Sequence, residues 1–271
     1  MTPTSPIRIG ALISGTGTNL EAILTACETG QINGRMAFVG TDSPGAKGLE
    51  KAENRGIPTF VVDYSKIIRD FKQDPEPTRL PDDYDGGAII SRQSLFPKGT
   101  EPQKIATYFA TRALAEAELL AQMAEHPFDL LVLAGFMRNL SPYFIDRVNT
   151  DPMRPRIMNI HPALLPAFPG TDGYGDTFRY GCKVGGCTVH FIDYGEDTGP
   201  IIGQRAFAID ETDTIDSIKK KGLALEWALY PECVALFAEN RLVPVKMTYT
   251  FKNGDIRQRT VVKVIEGDVF K

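Results

Sequence analysis

Several features that define specialised classes of protein are scarce in this chain of 271 residues. It has four cysteines and no Cys-x-x-Cys pair. The closest spacing is between Cys182 and Cys187, and no further ligand completes a zinc set at the spacing that zinc sites use. A disulfide framework and a metal site are therefore disfavoured, and we expect reduced thiols, no metal and a cytoplasmic protein.

An excess of basic charge is also lacking. The formal net charge is −4 and the sequence pI is about 5.5, so nothing indicates a surface built for nucleic acid or for an anionic membrane. The opening residues, MTPTSPIRIG, contain no long apolar stretch, and neither a signal peptide nor a membrane span is expected. No nucleic-acid or membrane partner is therefore expected, and a monomer and a homodimer both stay open.

Three common catalytic or nucleotide-binding motifs are missing. The sequence has no Gly-x-Gly-x-x-Gly, no Gly-x4-Gly-Lys-Ser/Thr and no Gly-x-Ser-x-Gly. This disfavours a dinucleotide site, a Walker loop and a serine hydrolase elbow. Histidine is rare too, with only His126, His161 and His190.

What is present is an alternation of short apolar runs with amphipathic segments, which predicts βαβ units and a parallel sheet. The predicted strands are residues 7–13, 36–40, 59–62, 128–134, 157–160, 189–193 and 201–208. The predicted helices are residues 20–27, 45–54, 102–125, 142 onward and 176–180. A last long helix is predicted to follow a cap in Thr212-Asp213-Thr214 and to run to about residue 239, with Pro231 interrupting it. The predicted fold is α/β: an open, Rossmann-like, mostly parallel sheet with helices on both faces, C-terminal antiparallel strands and a terminal β-hairpin.

Residues 1–271 are expected to form a single domain with two additions. An insertion at about 65–100 is rich in proline, glycine and charge, and a surface excursion with a short helix is the expected structure. A hairpin at about 243–265 is predicted from two alternating segments around Asn253-Gly254.

The candidate chemistry centres on Asn159 and His161. Alternate residues of a strand point the same way, so these two side chains should lie together where Pro162 ends the strand. An amide and an imidazole can stabilise an oxyanion and move protons. Asp197 follows in a Gly/Pro-flanked loop, where spacing favours an Asx turn, and His190 is expected to be a core histidine.

Two glycine-containing turns follow predicted strands. Ser14-Gly15-Thr16-Gly17-Thr18-Asn19 precedes a helix, so its backbone N–H groups could bind an anion, although plain turn chemistry explains it equally well. Gly135 follows the strand at 128–134, at the carboxyl edge of the sheet where open α/β folds bind ligands.

Together these segments resemble the folate-dependent formyltransferases. The likeness covers residues 7 to about 242 and rests on Ile13-Ser14-Gly15-x-Gly17-Thr18-Asn19-Leu20, Leu133-Ala134-Gly135-Phe136-Met137-Arg138, Asn159-Ile160-His161-Pro162-x-Leu164-Leu165-Pro166, His190-Phe191 with Asp197-x-Gly199-Pro200, and Glu226 with Tyr230-Pro231. The Asn-x-His-Pro and Leu-Leu-Pro run with the later Asp-x-Gly-Pro is specific to folate formyl transfer. The Ser-Gly-x-Gly-Thr-Asn loop indicates the members that act on glycinamide ribonucleotide in purine biosynthesis.

The resemblance implies an enzyme that transfers the formyl group of 10-formyltetrahydrofolate, its co-substrate, to the amine of glycinamide ribonucleotide. It implies that Asn159 and a protonated His161 stabilise the oxyanion, and that Asp197 keeps His161 charged and assists proton transfer. The substrate-binding residues implied are Gly17, Thr18, Asn19, Arg112 as a phosphate partner, and Glu226. The folate pocket implied is Met137, Arg138, Asn139, Leu140, Asp193, Tyr194, Gly195 and Glu196.

Other functions stay open at this point. A formyltetrahydrofolate hydrolase would use the same three residues with water as the attacking group. A methionyl-tRNA formyltransferase would carry a sizeable basic C-terminal domain, whereas about thirty residues follow the last long helix. A folate- or nucleotide-binding protein without activity would not require Asn159, His161 and Asp197 together.

Overall fold

A seven-stranded sheet in the order β3-β2-β1-β4-β5-β6-β7 forms the centre of the protein. We describe it from a computed structural model, which covers residues 5–75 and 79–266. The strands of the sheet are β1 (Ile7–Ile13), β2 (Gly34–Thr41), β3 (Thr59–Val61), β4 (Leu130–Leu133), β5 (Ile157–His161), β6 (Val184–Phe191) and β7 (Ile201–Ala208). Strands β1 to β5 are mutually parallel, whereas β6 pairs antiparallel with both of its neighbours, β5 and β7. The predicted fold class is confirmed.

Helices cover both faces of this sheet. They are α1 (Thr18–Glu28), α2 (Leu49–Glu53), α3 (Tyr64–Gln73), α4 (Gly86–Arg92), α5 (Pro102–Ala124), α6 (Pro142–Val148), α7 (Gly173–Arg179) and α8 (Ile215–Ala238). One core unites α1, α2 and α8 with one face, and a second unites α3, α5 and α6 with the other. Both faces of the parallel strands are thereby buried, which explains their nearly continuous apolar sequences.

Helix α8 begins where its sequence predicts a cap but continues differently from the prediction. Thr214 caps it by accepting a hydrogen bond from the N–H of Ser217, and the Ser217 hydroxyl accepts from the N–H of Thr214. The helix then runs through Pro231 without ending, so the predicted interruption is wrong.

The segment at 65–100 is more ordered than predicted. It contains two helices, α3 and α4, and residues 76–78 lie outside the described chain. Ile89 of α4 is buried with Phe109 of α5 in a third apolar cluster. Asp63 and Asp85 cap the two helices by accepting hydrogen bonds from backbone N–H groups at 2.9 Å. Asp63 and Asp85 are residues typical of helix N-caps and could have indicated both helices. The prolines and charged residues around them favour a loop instead.

The C-terminal hairpin is confirmed as a separate two-stranded sheet of β8 (Leu242–Thr250) and β9 (Ile256–Val264). Its turn includes Gly254 at φ +85°, a conformation that glycine adopts without strain. Among the residues described, no helix combines the length and apolar character needed to cross a bilayer.

Candidate active site

The sheet order places the site. The chain moves from β1 to β2 and β3 on one side, then to β4 and β5 on the other, so a crevice opens beyond the carboxyl ends of β1 and β4. A cavity of about 600 Å³ occupies this edge. Asn159, His161 and Asp197 all line it, as do Asn19, Arg112 and Glu226.

Strand β5 presents Asn159 and His161 to the cavity, as their alternate spacing predicted. Its neighbours are parallel β4 and antiparallel β6, so both side chains lie on a central, rigid strand. The His161 side chain is 2% exposed, which places its ring in a site of low dielectric constant.

Both ring nitrogens of His161 face acceptors. Nε2 lies 2.8 Å from the carbonyl oxygen of Phe168, and Nδ1 lies 3.1 Å from Oδ2 of Asp197. A carbonyl oxygen and an ionised carboxylate can only accept hydrogen bonds, so both nitrogens must donate. The geometry therefore suits the imidazolium cation rather than either neutral tautomer.

Asp197 is held in an unusual conformation for this contact. Its φ is +53°, which is uncommon for a residue with a side chain and occurs at functional sites. Oδ2 also accepts a hydrogen bond from the N–H of Gly170 at 2.8 Å. Burial would raise the pKa of Asp197, but its contacts with His190, His161 and Gly170 outweigh burial and lower this pKa.

The Asx turn expected at Asp197 lies instead at Asp193. Oδ1 of Asp193 accepts hydrogen bonds from the N–H of Gly195 at 3.1 Å and from the hydroxyl of Thr198 at 2.5 Å. Because Asp193 organises the loop, the carboxylate of Asp197 is free to contact His161.

His190 belongs to the site, although its sequence context predicted only a core histidine. It is fully buried, as expected of a core residue, but its Nε2 lies 3.2 Å from Nδ2 of Asn159 and 3.6 Å from Oδ1 of Asp197. Nδ1 lies 2.9 Å from the carbonyl oxygen of Phe191 and donates to it. Nε2 of His190 therefore lies between the Asn159 amide and the Asp197 carboxylate, and the buried ring fixes where these two side chains sit. The pairing of Asn159 with His190 across β5 and β6 could not be read from either strand alone.

The glycine loop after β1 ends at the N-terminus of α1. Gly17 is the N-cap at φ +67°, and an added Cβ would make a tight contact 3.0 Å from Cα of Gly48. No side chain caps α1, so the backbone N–H groups of its first turn face outward from a helix of 11 residues. Thr18 lies in that turn, and Asn19 reaches the cavity.

Glu226 and Asn19 form a buried network with a third residue, Tyr174 of α7. Oε2 of Glu226 accepts from Nδ2 of Asn19 at 2.7 Å, and Oε1 accepts from the hydroxyl of Tyr174 at 2.6 Å. Oδ1 of Asn19 is buried with no hydrogen-bond partner, as expected of an atom that meets a ligand. Burial raises the pKa of Glu226, although the bonds from Asn19 and Tyr174 oppose it. The sequence did not indicate Tyr174, because it lies in a Pro/Gly-rich passage before the helix predicted at 176–180.

Tyr230 sets the position of α8 against the sheet. Its hydroxyl donates to the carbonyl oxygens of Met158 in β5 at 2.7 Å and of Leu133 at the end of β4 at 3.2 Å. Glu226 lies one helical turn earlier and is thereby directed into the cavity.

Two neighbouring chain segments line the cavity. One is the wall of Met137, Arg138, Asn139 and Leu140, and the other contains Asp193, Gly195 and Glu196. Nδ2 of Asn139 bridges them by donating to Oε1 of Glu196 at 3.1 Å. Tyr194 points elsewhere, since its hydroxyl donates to Asp146 at 2.6 Å and its ring joins the second core.

The 137–140 wall is tied to the loop after β2. Nε of Arg138 donates to the buried Asp42 at 2.5 Å, and Asp42 also accepts from the hydroxyl of Ser14 at 2.5 Å. Ser14 in turn accepts from the N–H of Met137 at 2.8 Å. Asp42 was another residue without a sequence signal, because its partners come from two other strands.

Arg112 approaches the cavity from α5. Its guanidinium carbon lies 4.8 Å from the ring centre of Tyr108 and 5.7 Å from that of Tyr64. Nε and Nη1 are buried without hydrogen-bond partners. Tyr64 also contacts Phe136 and Arg138, so Arg112 lies on the side of the 137–140 wall. Two unpaired donors on a partly buried cation favour an anionic ligand.

The rest of the described chain offers little competing chemistry. Residues 5–75 and 79–266 contain no group of three His, Cys, Asp or Glu side chains arranged for a metal ion. A cavity of about 620 Å³ lies at the opposite edge of the sheet, but there Arg8 is paired with Asp129 and Arg156 donates to backbone carbonyls.

Comparison with known proteins agrees with this geometry. The family model described as Formyl transferase matches residues 7–234, which include every site residue discussed above. The chain therefore belongs to the formyl transferase family.

Individual proteins are also similar to this chain over most of its length. Phosphoribosylglycinamide formyltransferase of Bacillus subtilis is 33% identical over 84% of this chain and 92% of that protein. The crystal structure of glycinamide ribonucleotide transformylase 1 from Symbiobacterium toebii has a TM-score of 0.68 and 34% identity, over 97% of this chain and 95% of that one. A formyltetrahydrofolate deformylase from Burkholderia mallei has a TM-score of 0.64 at 20% identity, over 97% of this chain and 71% of that one, and shares the fold alone.

Proposed function

We propose that this chain transfers the formyl group of 10-formyltetrahydrofolate to the amine of glycinamide ribonucleotide, a step of purine biosynthesis. The observation that carries the proposal is the convergence of Asn159, His161 and Asp197 in one cavity beside the free N-terminus of α1. The similarity to enzymes named for this substrate supports the choice of amine.

Asn159 and His161 are the proposed oxyanion donors. When the amine attacks the formyl carbon, the formyl oxygen becomes negative, and preorganised donors in a dry site stabilise it. One N–H of the Asn159 amide contacts His190 and leaves the other for substrate. The Nε2–H of His161 now bonds to the carbonyl of Phe168, so it must turn from that carbonyl to the oxyanion. The exchange is favourable because a charged acceptor forms the stronger hydrogen bond.

Asp197 is the proposed proton carrier. The attacking amine must lose a proton, and the departing nitrogen of tetrahydrofolate must gain one. A carboxylate with a lowered pKa stays ionised near neutral pH, keeps His161 cationic and can pass the proton through water. Tetrahydrofolate and the formylated amide are then the products.

The proposed substrate contacts divide between the two sides of the cavity. The free N–H groups after Gly17 suit the ribonucleotide phosphate, while Oδ1 of Asn19 and the Glu226 carboxylate can accept from amine or hydroxyl groups. The 137–140 wall and the 193–196 loop, without Tyr194, suit the folate.

The anion bound by Arg112 is either the phosphate or a carboxylate of the folate glutamate tail. Its contacts with Tyr108 and Tyr64 place it beside the folate wall, and we therefore propose the carboxylate. The chain's acid–base residues suffice for the mechanism, so we propose no metal. Four unpaired cysteine thiols support a cytoplasmic location.

The test is to measure tetrahydrofolate release from 10-formyltetrahydrofolate with and without glycinamide ribonucleotide. Transfer predicts release only when the ribonucleotide is present, together with its formylated product. Tetrahydrofolate release at the same rate with and without the ribonucleotide would instead establish a hydrolase.

A further inference from the structure

Glu116 of α5 is a completely buried carboxyl group that the proposed mechanism does not use. It lies one turn after Arg112 on the same helix, so the two side chains share a face. A buried carboxyl group costs free energy unless it is well paired, and such a residue on a helix beside a binding cavity calls for a physical explanation.

Both oxygens of Glu116 are bound by a single residue, Ser141. Oε1 accepts from the Ser141 N–H at 2.8 Å, and Oε2 accepts from the Ser141 hydroxyl. Ser141 directly follows the 137–140 wall and caps α6, since its Oγ accepts from the N–H of Tyr143 at 3.2 Å. Glu116 therefore holds the residue at which the wall joins its helix.

The charged and titratable groups around Glu116 come from three helices. Arg112 lies on its own helix, Arg147 and Tyr143 approach from α6, and Tyr64 approaches from α3. Burial raises the pKa of Glu116 to about 7, while the Ser141 hydrogen bonds and the two arginines oppose that rise.

We propose that Glu116 is a positioning residue for the folate side of the cavity. Its carboxylate fixes the 137–140 wall through Ser141 and so holds that wall beside Arg112. The inference rests on the proposed function, because it assigns the 137–140 wall to folate.

Two effects of removing the charge have opposite signs, and this makes the inference testable. Charge-assisted hydrogen bonds to Ser141 weaken, so the wall loosens and folate binding should weaken. The field at Arg112 becomes more positive, so binding of an anionic folate tail should strengthen. Positioning through Ser141 requires the first effect to dominate, whereas a purely electrostatic role requires the second.

The experiment compares wild type with Glu116→Gln, which keeps the shape of the side chain, and with Glu118→Gln, an exposed position on the same helix. In steady-state kinetics we expect Glu116→Gln to raise KM for 10-formyltetrahydrofolate about fivefold. KM for glycinamide ribonucleotide and kcat at saturation should stay within about twofold, and Glu118→Gln should match wild type.

The pH dependence supplies a second readout. Wild-type Glu116 is protonated below about pH 6 and then resembles glutamine. The ratio of the two folate KM values should therefore approach one at low pH and reach its full value above about pH 8. Ser141→Ala should raise the folate KM in the same direction, and combining it with Glu116→Gln should add less than the sum of the single effects.

An unchanged or lowered folate KM in Glu116→Gln would overturn the inference, as would strictly additive effects of the two substitutions. Loss of kcat with an unchanged folate KM would also contradict it. These outcomes are separate from failure of the proposed function, which would show as wild-type enzyme that does not formylate the ribonucleotide. Circular dichroism of each variant identifies any that fail to fold, and Ser141→Ala then carries the test.

Discussion

Nδ1 of His161 lies 3.1 Å from Oδ2 of Asp197, although one residue ends strand β5 and the other lies in the loop after β6. The Gly170 N–H binds the same carboxylate oxygen, so the contact also joins the loop that follows the Leu-Leu-Pro turn. This pair places an imidazole nitrogen against a carboxylate whose pKa is lowered by its contacts.

The first prediction concerns that pair. Asp197→Asn keeps the size of the side chain but cannot stabilise an imidazolium, so kcat should fall about 10²- to 10³-fold while both KM values change little. His161→Ala and Asn159→Ala should act in the same way. Steady-state kinetics of each variant provide the measurement, and near-normal turnover of His161→Ala would refute its role.

In the same loop, Asp193→Asn should alter the folate KM rather than kcat, because Asp193 organises the turn.

The second prediction concerns the anion site at α1. Gly17→Ala introduces a side chain at φ +67° and places its Cβ 3.0 Å from Cα of Gly48. The left-handed conformation alone costs about 1–2 kcal/mol for alanine. We expect a raised KM for glycinamide ribonucleotide with little change in the folate KM. Gly45→Ala is the matched control, because its Cβ would meet no atom within 4 Å. Equal effects on the two KM values would argue against a phosphate at this helix end.

The third prediction separates function from stability at Glu226. Its pKa is raised by burial, so the folded state binds the proton more tightly than the unfolded state. The free energy of unfolding therefore falls as pH rises above the unfolded value of about 4.3 toward the folded pKa. Glu226→Gln removes this loss, so its Tm relative to wild type should increase between about pH 4 and pH 7.

The same substitution should weaken substrate binding. A charge-assisted contact to the ribonucleotide is lost, and its KM should rise about tenfold. Thermal unfolding across pH and steady-state kinetics check the two halves independently. A Tm difference that shrinks with rising pH would contradict a buried Glu226 carboxyl group with a raised pKa.

The fourth prediction concerns Gly222, which lies one turn before Glu226 on α8. A Cβ at this position would lie 2.1 Å from the ring of Tyr174, so the ring must move and its hydrogen bond to Glu226 must break. Alanine normally stabilises a helix interior by about 1 kcal/mol relative to glycine, but here we expect a net loss of about 1–3 kcal/mol.

Gly87→Ala in α4 is the matched control, because the atom nearest to its added Cβ would be a carboxylate oxygen at 3.4 Å, an ordinary van der Waals distance. Denaturant unfolding should show Gly222→Ala less stable and Gly87→Ala no less stable than wild type. Gly222→Ala should also raise KM for the ribonucleotide. A stabilising Gly222→Ala would mean that Tyr174 can leave its place without cost.

Local rules determined much of this protein from its sequence. Apolar runs alternating with amphipathic segments predict the parallel sheet, because the periods of strands and helices are set by backbone geometry. The same rule places Asn159 and His161 on one side of β5, and the Asn-Gly pair predicts the hairpin. These features depend only on neighbours along the chain.

Only the tertiary structure decided which residues complete the site. His190 meets Asn159 through antiparallel pairing of β5 with β6, and Tyr174 meets Glu226 through packing of α7 on α8. The Asx turn lies at Asp193 rather than Asp197, and this freed Asp197 to contact His161. Such choices depend on distances between segments far apart in the chain. Because those distances come from packing rather than from backbone period, no local pattern in the sequence encodes them.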